Sequence, residues 1–400
     1  NVFSMREENG IKPTILETSD VHSIKECIQF ILNGYVISID GNKQKVTAYL
    51  TVHKTDRSVQ ESANERIIMG AHDSYVESLE TNTTLIRKRI RSKDLVIKNI
   101  KLGKRYPVSL SIFYLKDKTP PSMISALEQK LNKFTLEEKV ESVQIQAMLE
   151  EHPASFFPQV MCTERPDLTV QHLLKGKPAI LLDNDPNALL FPYNMYGFFQ
   201  SPEDFNFRWL IGAFYFSLRF LAFWISVLLP ALYIAVSSFH SNILPIGLFY
   251  TLKLSTENIP LPPLIEALTM QLFLELLREA ALRLPQAIAS TIGTVGAIVI
   301  GTAIVQTNLI SNTMVVVIAA TAVASFAIPS KDMSISARLI GLPLLLFASL
   351  FGFLGIALGM FLIVGHLSQI QLFGKRYLEN PGFSEFAFIR KRKGKKHDFK

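Results

Sequence analysis

Cysteine is almost missing from this 400-residue chain: Cys27 and Cys162 are the whole complement, and they stand far apart. A multi-disulfide scaffold and a local Cys-x-x-Cys metal or redox motif are therefore excluded. Both cysteines lie in the first half, and no charged n-region followed by an apolar h-region precedes them, which favours a reducing, cytoplasmic setting for that half. The sequence starts at Asn1 rather than Met, which leaves room for an earlier segment. Phosphate-binding signatures are missing too: there is no G-x-x-x-x-G-K-[ST] loop and no G-x-G-x-x-G, and none of the eight histidines forms an H-x-x-x-H pair. A nucleotide- or metal-dependent enzyme gains no local support, so neither cofactor nor metal is expected.

The third scarcity is regional. Up to about Asn206 charged and apolar residues mix as in a soluble domain, whereas from Trp209 to Leu367 charge nearly disappears and apolar runs lengthen. The fold class that follows is a soluble α/β N-terminal region followed by an α-helical multi-span membrane domain. The boundaries are 1–206 for the α/β region, with subdomains of roughly 1–115 and 116–206, then 207–368 for the membrane domain and 369–400 for a basic tail.

In the soluble region, Asp20–Leu32 carries apolar residues at helical spacing and is followed by strand-like "YVISID", the turn "GNKQK" and strand-like "VTAYLTVH". The order returns in "DLTVQHLLKG", "PAILLD", "NDPN" and "ALLF", so an internal helix–strand–turn–strand repeat and two related subdomains are expected. Between them, Asp73–Arg91 reads as a helix with acids early and Arg87, Lys88, Arg89 and Arg91 late, an order that complements the helix dipole. That basic end is a solvated helix terminus or a site for anionic lipid or nucleic acid. "PVSLSIFYL" places Val108, Leu110, Ile112 and Tyr114 on one side of a strand, and "PPSMISALEQKLNKF" starts a helix. The compact polar cluster Thr163, Glu164, Arg165, Pro166 and Asp167 is either an acid/base site or a helix start with ion pairs, Asp167 standing in the N-cap position.

About 20 apolar residues cross a bilayer core. Trp209–Phe239, Ala287–Val305, Leu309–Ile328 and Leu339–Leu367 are long enough, which gives four spans; Ser241–Pro285 adds either none or two more. In the tail, lysines and arginines outnumber the acids Glu379, Glu385 and Asp398, so the tail is expected in the cytoplasm. With a cytoplasmic N-terminal region the crossing number is even. The small-residue spacings Gly355…Gly359 and Ala297…Gly301 read as ordinary close helix packing.

Charge inside such a region is informative because each ionised side chain at the bilayer centre costs roughly 2.5–3.5 kcal/mol. Arg219 stands alone in the first span and needs a partner or water. In "LELLREAALRLPQ", Glu275, Arg278, Glu279 and Arg283 fall in an arc of roughly 140° of a helix, opposite Phe273, Leu274, Leu277, Ala281 and Leu284. Their i,i+3 and i,i+4 pairing contributes only a few tenths of a kcal/mol each. The face must meet water, headgroups or polar groups in an assembly, so it is an interfacial structural helix or the lining of a polar path. With Glu266 of the same segment, these residues and Arg219 form the candidate membrane charge network.

"LREAALRLPQAI", "VGAIVIGTAIVQTNLISNTMVVVIAATAVASFAIP", "ESLETNTTLIRKRI", "TERPD", "SPEDF" and "LPALYIAVSSFH" together resemble the A subunits of GerA-type spore germinant receptors, over about Glu61 to Pro329. The chain departs at Gly70–Tyr75, "GAHDSY", where members usually show a sequence resembling GPREGF. The resemblance implies a non-enzymatic, multi-pass protein of the spore inner membrane, with N-terminal region and tail cytoplasmic. The partners it implies are a transporter-like B subunit that recognises nutrients and a lipoprotein C subunit. It further implies self-association and behaviour as part of a nutrient-gated ion conductor; membrane lipid, and no nucleic acid, is the surrounding partner. A secondary transporter or a membrane-anchored enzyme around Thr163–Asp167 are the competing readings. The topology is checked with cysteines introduced at Lys118 and Lys395 in a chain lacking Cys27 and Cys162: both are expected to resist an impermeant thiol reagent until the membrane is opened, and labelling of either in intact cells contradicts it.

Overall fold

The structure is a computed structural model, and it describes residues 18–20, 23–32, 35–40, 45–50, 65, 72–103, 105, 107–133, 141–205, 207–257, 259–283, 298, 302 and 306–379. The turn at 41–44, most of the apolar stretch Ala287–Val305, the Ala297…Gly301 spacing, the loop residues Gly70 and Ala71 and the tail from 380 onward lie outside the described residues. The chain divides into two compact units, one of residues 1–67, 71–149 and 162–191, the other of residues 68–70, 150–161 and 192–400.

The first unit begins with β1 (Thr18–Asp20), α1 (Ile24–Leu32), β2 (Tyr35–Asp40) and β3 (Lys45–Leu50), in a three-stranded sheet of order β1-β3-β2. There follow α2 (Leu79–Arg89), β4 (Leu95–Leu102), β5 (Val108–Leu115), α3 (Pro121–Asn132), α4 (Ser142–Leu149), β6 (Met161–Thr163), α5 (Pro166–Leu174), β7 (Ala179–Leu182) and β8 (Ala188–Leu190). The larger sheet has the order β4-β5-β7-β8-β6, with β4/β5, β5/β7 and β7/β8 antiparallel. Segments 24–50 and 166–190 each run as a helix followed by an antiparallel strand pair. β5 is not one-sided, as its alternation suggests: Leu110, Ser111, Ile112 and Phe113 are all buried, so side chains on both faces of this strand are covered. α2 starts later than expected, at Leu79. Ser78 caps it by accepting from Thr81 N, and the Asn82 side chain holds the preceding backbone through Val76 N at 2.9 Å.

The second unit is helical: α6 (Trp209–Ser238), α7 (Ile246–Thr256), α8 (Pro263–Arg283), α9 (Asn312–Phe326), α10 (Lys331–Phe351) and α11 (Phe353–Gln369), closed by the short hairpin β9 (Gln371–Leu372) and β10 (Lys375–Arg376). Among the described residues, α6 and α10 are the helices long and apolar enough to cross a membrane, and α9 and α11 are shorter apolar helices. The stretch Leu339–Leu367 is not one span. Gly352, at φ +60°, breaks it, a backbone state that suits glycine. α11 then folds back on α10: a Cβ on Gly355 would run into the Phe347 backbone carbonyl, and one on Gly359 would lie 2.5 Å from Leu344 Cδ1.

Side-chain pairs give the helix directions. Tyr233 late in α6 meets Thr313 early in α9, while Ser334 early in α10 donates to Ser325 O late in α9. α6 and α10 therefore run one way and α9 the other. Glu266 early in α8 meets Ser311, and Arg278 late in α8 meets Ser325, so α8 runs parallel to α9. α11, antiparallel to α10, shares their direction. The core of this unit joins Phe198, Phe199, Phe223, Val227, Ala231, Ala337, Ile340 and Leu344, while Phe214, Leu221, Leu350 and Phe361 remain exposed, as apolar faces that meet lipid do.

Close packing at Gly355 generates a paired test. Gly355→Ala is expected to destabilise the detergent-purified chain by about 1–3 kcal/mol through overpacking, whereas Gly365→Ala, in open space on the same helix, is neutral or slightly stabilising. Equal melting shifts for the two contradict the hairpin.

Candidate functional site

α8 enters through Pro263, and its first turn carries Glu266, buried to 1% exposure. A buried carboxylate persists only where donors meet it. Its Oε2 accepts from Ser311 N at 2.8 Å, and Ser311 in turn caps α9 by accepting from Met314 N. The residue that caps a helix leaves its own N–H unpaired within that helix, and here Glu266 supplies the acceptor. Tyr233 OH lies 3.1 Å from Thr313 Oγ1, which also meets Ser255 Oγ at 3.1 Å, so α6, α7, α8 and α9 join at one polar knot.

Toward the other end of α8, the expected four-residue polar face divides. Arg278 turns inward: it donates to Glu275 Oε1 at 2.7 Å and Ser325 Oγ at 2.9 Å and lies over the Phe326 ring at 4.8 Å. Glu275 also receives Arg338 Nε of α10 at 2.8 Å. Glu279 and Arg283 pair with each other at 2.5 Å and stay exposed, their side chains 57% and 78% accessible. Arg338 was not singled out in the sequence. Its signal was an arginine one residue ahead of the apolar stretch at Leu339, which the helix start at Lys331 places inside α10.

Arg219, the isolated charge of α6, has its partner in the "SPEDF" segment just before that helix. Its NH1 reaches both Asp204 oxygens, at 2.9 and 2.6 Å, and Phe199 O at 3.4 Å. Asp204 also accepts from Ser201 N at 2.9 Å, a second contact that orients the carboxylate toward the arginine. The two residues stand 15 positions apart, so no short-range spacing marks the pair in the sequence.

In the first unit, Thr163–Asp167 forms a closed polar staple. Pro166 takes the first helical position and Arg165 the cap position, so Asp167 sits inside the first turn of α5 rather than at its N-cap; its Oδ1 accepts from Leu168 N at 2.9 Å. The buried Arg165 grips Asp167 through two parallel bonds of 3.0 and 2.6 Å and also donates to Glu65 O. Thr163 Oγ1 donates to Glu65 Oε2 at 2.7 Å, and Tyr75 N donates to Glu164 O at 2.8 Å. With Thr163 and Arg165 at 1% and 3% exposure, the geometry is that of ion-paired structural residues, not an open acid/base pocket. His172 is also buried, its Nε2 3.1 Å from Phe191 O, and burial holds its pKa well below 6.5. No group of three or more metal-ligating side chains converges among the described residues.

Burial pushes the Glu65 carboxyl from 4.5 up to about 7, against the lowering hydrogen bond from Thr163. The folded chain thus holds this proton more tightly than the unfolded chain. Its stabilising contribution is full below about pH 4.5 and declines as pH rises through 7, by up to about 3 kcal/mol. Unfolding of the first unit, followed in the full chain at pH 5 and pH 8, is expected to show this loss in wild type and a flatter response in Glu65→Gln. Identical pH responses contradict it.

A profile of the family described as "Bacillus/Clostridium GerA spore germination protein" matches residues 5–390. The chain is 36% identical to "Spore germination protein A1" of Bacillus subtilis (strain 168) over 92% of its own length and 76% of that protein. It is also 36% identical to "Uncharacterized membrane protein YfkQ" of the same organism, over 94% of this chain and 72% of that one. A crystal structure of the N-terminal domain of the A subunit of the Bacillus megaterium spore germinant receptor GerK3 aligns at 21% identity and a TM-score of 0.33, covering 48% of this chain and 68% of that chain. At that score the fold described above rests on this chain's own elements. With one family profile spanning nearly the whole sequence and a close relative covered over most of its length, this chain belongs to the GerA spore germination protein family.

Proposed function

We propose that this chain is the A subunit of a spore germinant receptor, a non-enzymatic multi-pass protein of the spore inner membrane that couples nutrient sensing to ion release. Its partners in this reading are a transporter-like B subunit and a lipoprotein C subunit, and it associates with further copies of itself. The N-terminal region, built of two related α/β subdomains, and the basic tail face the cytoplasm.

Helix directions support six crossings. α8 and α9 run parallel, and in this reading two crossings of the same sense call for one of the opposite sense from the interval between Arg283 and Asn312. The apolar stretch Ala287–Val305 falls in that interval and has the length of a span. Adding α6, α8, α9, α10 and α11 gives an even number, as a shared cytoplasmic side for the two ends requires.

The observation that carries the conducting role is the exposed Glu279–Arg283 pair on α8, a helix whose other face packs on apolar side chains of the bundle. Exposed ionised groups at that position need water or a polar neighbour, and a path between associated copies supplies both. Carboxylates facing such a path attract cations. Glu279→Gln keeps the shape and removes the charge. Nutrient-triggered potassium release from spores is expected to slow or fail with the protein at normal abundance, and release at the wild-type rate assigns the pair to the membrane interface instead.

A further inference from the structure

A cavity of about 170 Å³ lies among α6, α8, α9 and α10. Its wall carries two guanidinium groups, Arg278 and Arg338, against a single carboxylate, Glu275, which accepts from both. The wall is therefore left with one uncompensated positive charge. Three buried polar atoms on it also have no hydrogen-bond partner among the described residues: Arg278 Nε, Ser226 Oγ and Gln271 Oε1. The arginine and serine supply donors, and rotation of the Gln271 amide presents its NH2 in place of the oxygen. Excess positive charge with unused donors is the complement of an oxyanion carrying one negative charge.

Position narrows the ligand. Arg278 belongs to the last turns of α8, Ser325 to the last turn of α9 and Arg338 to the early turns of α10, so the charges gather toward one end of the bundle. From the cavity mouth a ridge of exposed apolar side chains runs along α10 away from that end: Ile335, Leu339, Leu342 and Leu346, 37–47% accessible. Their spacing of four, three and four residues places them on one helix face. A charged head at the end with an apolar tail along the ridge describes a lipid better than a soluble anion. Basic recesses between membrane helices at the cytoplasmic side have this use.

We propose that this cavity binds the phosphodiester headgroup of one anionic membrane lipid, whose acyl chain lies on the Ile335–Leu346 ridge. The proposal rests on the membrane reading of the second unit, and its test separates the two. The full chain is purified in detergent and offered phosphatidylglycerol, phosphatidylcholine or inorganic phosphate, with retained ligand counted by native mass spectrometry and vesicle flotation run alongside. Wild type is expected to retain one phosphatidylglycerol per chain with about tenfold preference over phosphatidylcholine, and inorganic phosphate is not expected to displace it. Arg338→Gln loses the preference, and Arg338→Lys, which keeps the charge, recovers part of it. Equal retention of the two lipids, unchanged selectivity in a folded Arg338→Gln chain, or displacement by inorganic phosphate overturns the lipid site while leaving the membrane reading standing. If Arg338→Gln cannot be recovered folded, the wild-type competition decides alone. Failure to float with either kind of vesicle overturns the membrane reading, and the lipid site with it.

Discussion

A single carboxylate shared by two arginines holds the second unit in its arrangement. Glu275 accepts from Arg278 on its own helix and from Arg338 on α10. In water such pairs contribute little, but among apolar helices an unpaired charge is costly, so the pairing decides where α8 can sit. Glu266 fixes the opposite end of α8 through the Ser311 backbone at the start of α9. With both ends tied, α8 lies parallel to α9.

The same logic appears wherever this chain places charge in apolar surroundings. Arg219 points back to Asp204, which the short turn before α6 has already oriented. Gly212 permits that turn to lie close, since a Cβ there would come within 3.0 Å of Asp204 O. In the first unit Thr163 holds the Glu65 carboxyl, and Arg165, forked to Asp167, donates to the Glu65 backbone carbonyl at the start of α5. A motif that could have been a reactive cluster is instead a fastening, because every strong donor in it is turned to a partner within the unit.

Much of the fold was legible in the sequence where periodicity and composition act over long windows. The strands at Tyr35–Asp40 and Val108–Leu115 and the helix from Trp209 follow from apolar spacing alone. Local backbone events were harder to see. The break at Gly352 is one glycine in a continuous apolar run, and nothing in its neighbours marks φ +60°. The cap of α5 was misplaced because Pro166, fitted to the first helical position, moves the cap to Arg165 and outweighs the capping preference of Asp167. The four charges of α8 were visible as a set, but helical projection cannot tell that Arg278 faces Ser325 while Arg283 faces outward. Arg338 and Asp204 carry their roles only through contacts distant in sequence or across a turn.

The claim that charge pairing seats α8 is tested most directly by a double-mutant cycle on Glu275 and Arg338. Thermal unfolding of the detergent-purified wild type, Glu275→Gln, Arg338→Gln and the double variant isolates the coupling between the two side chains. The account predicts a favourable coupling above about 1 kcal/mol, with the double variant less destabilised than the sum of the single ones. Additive effects, with coupling indistinguishable from zero, would contradict it.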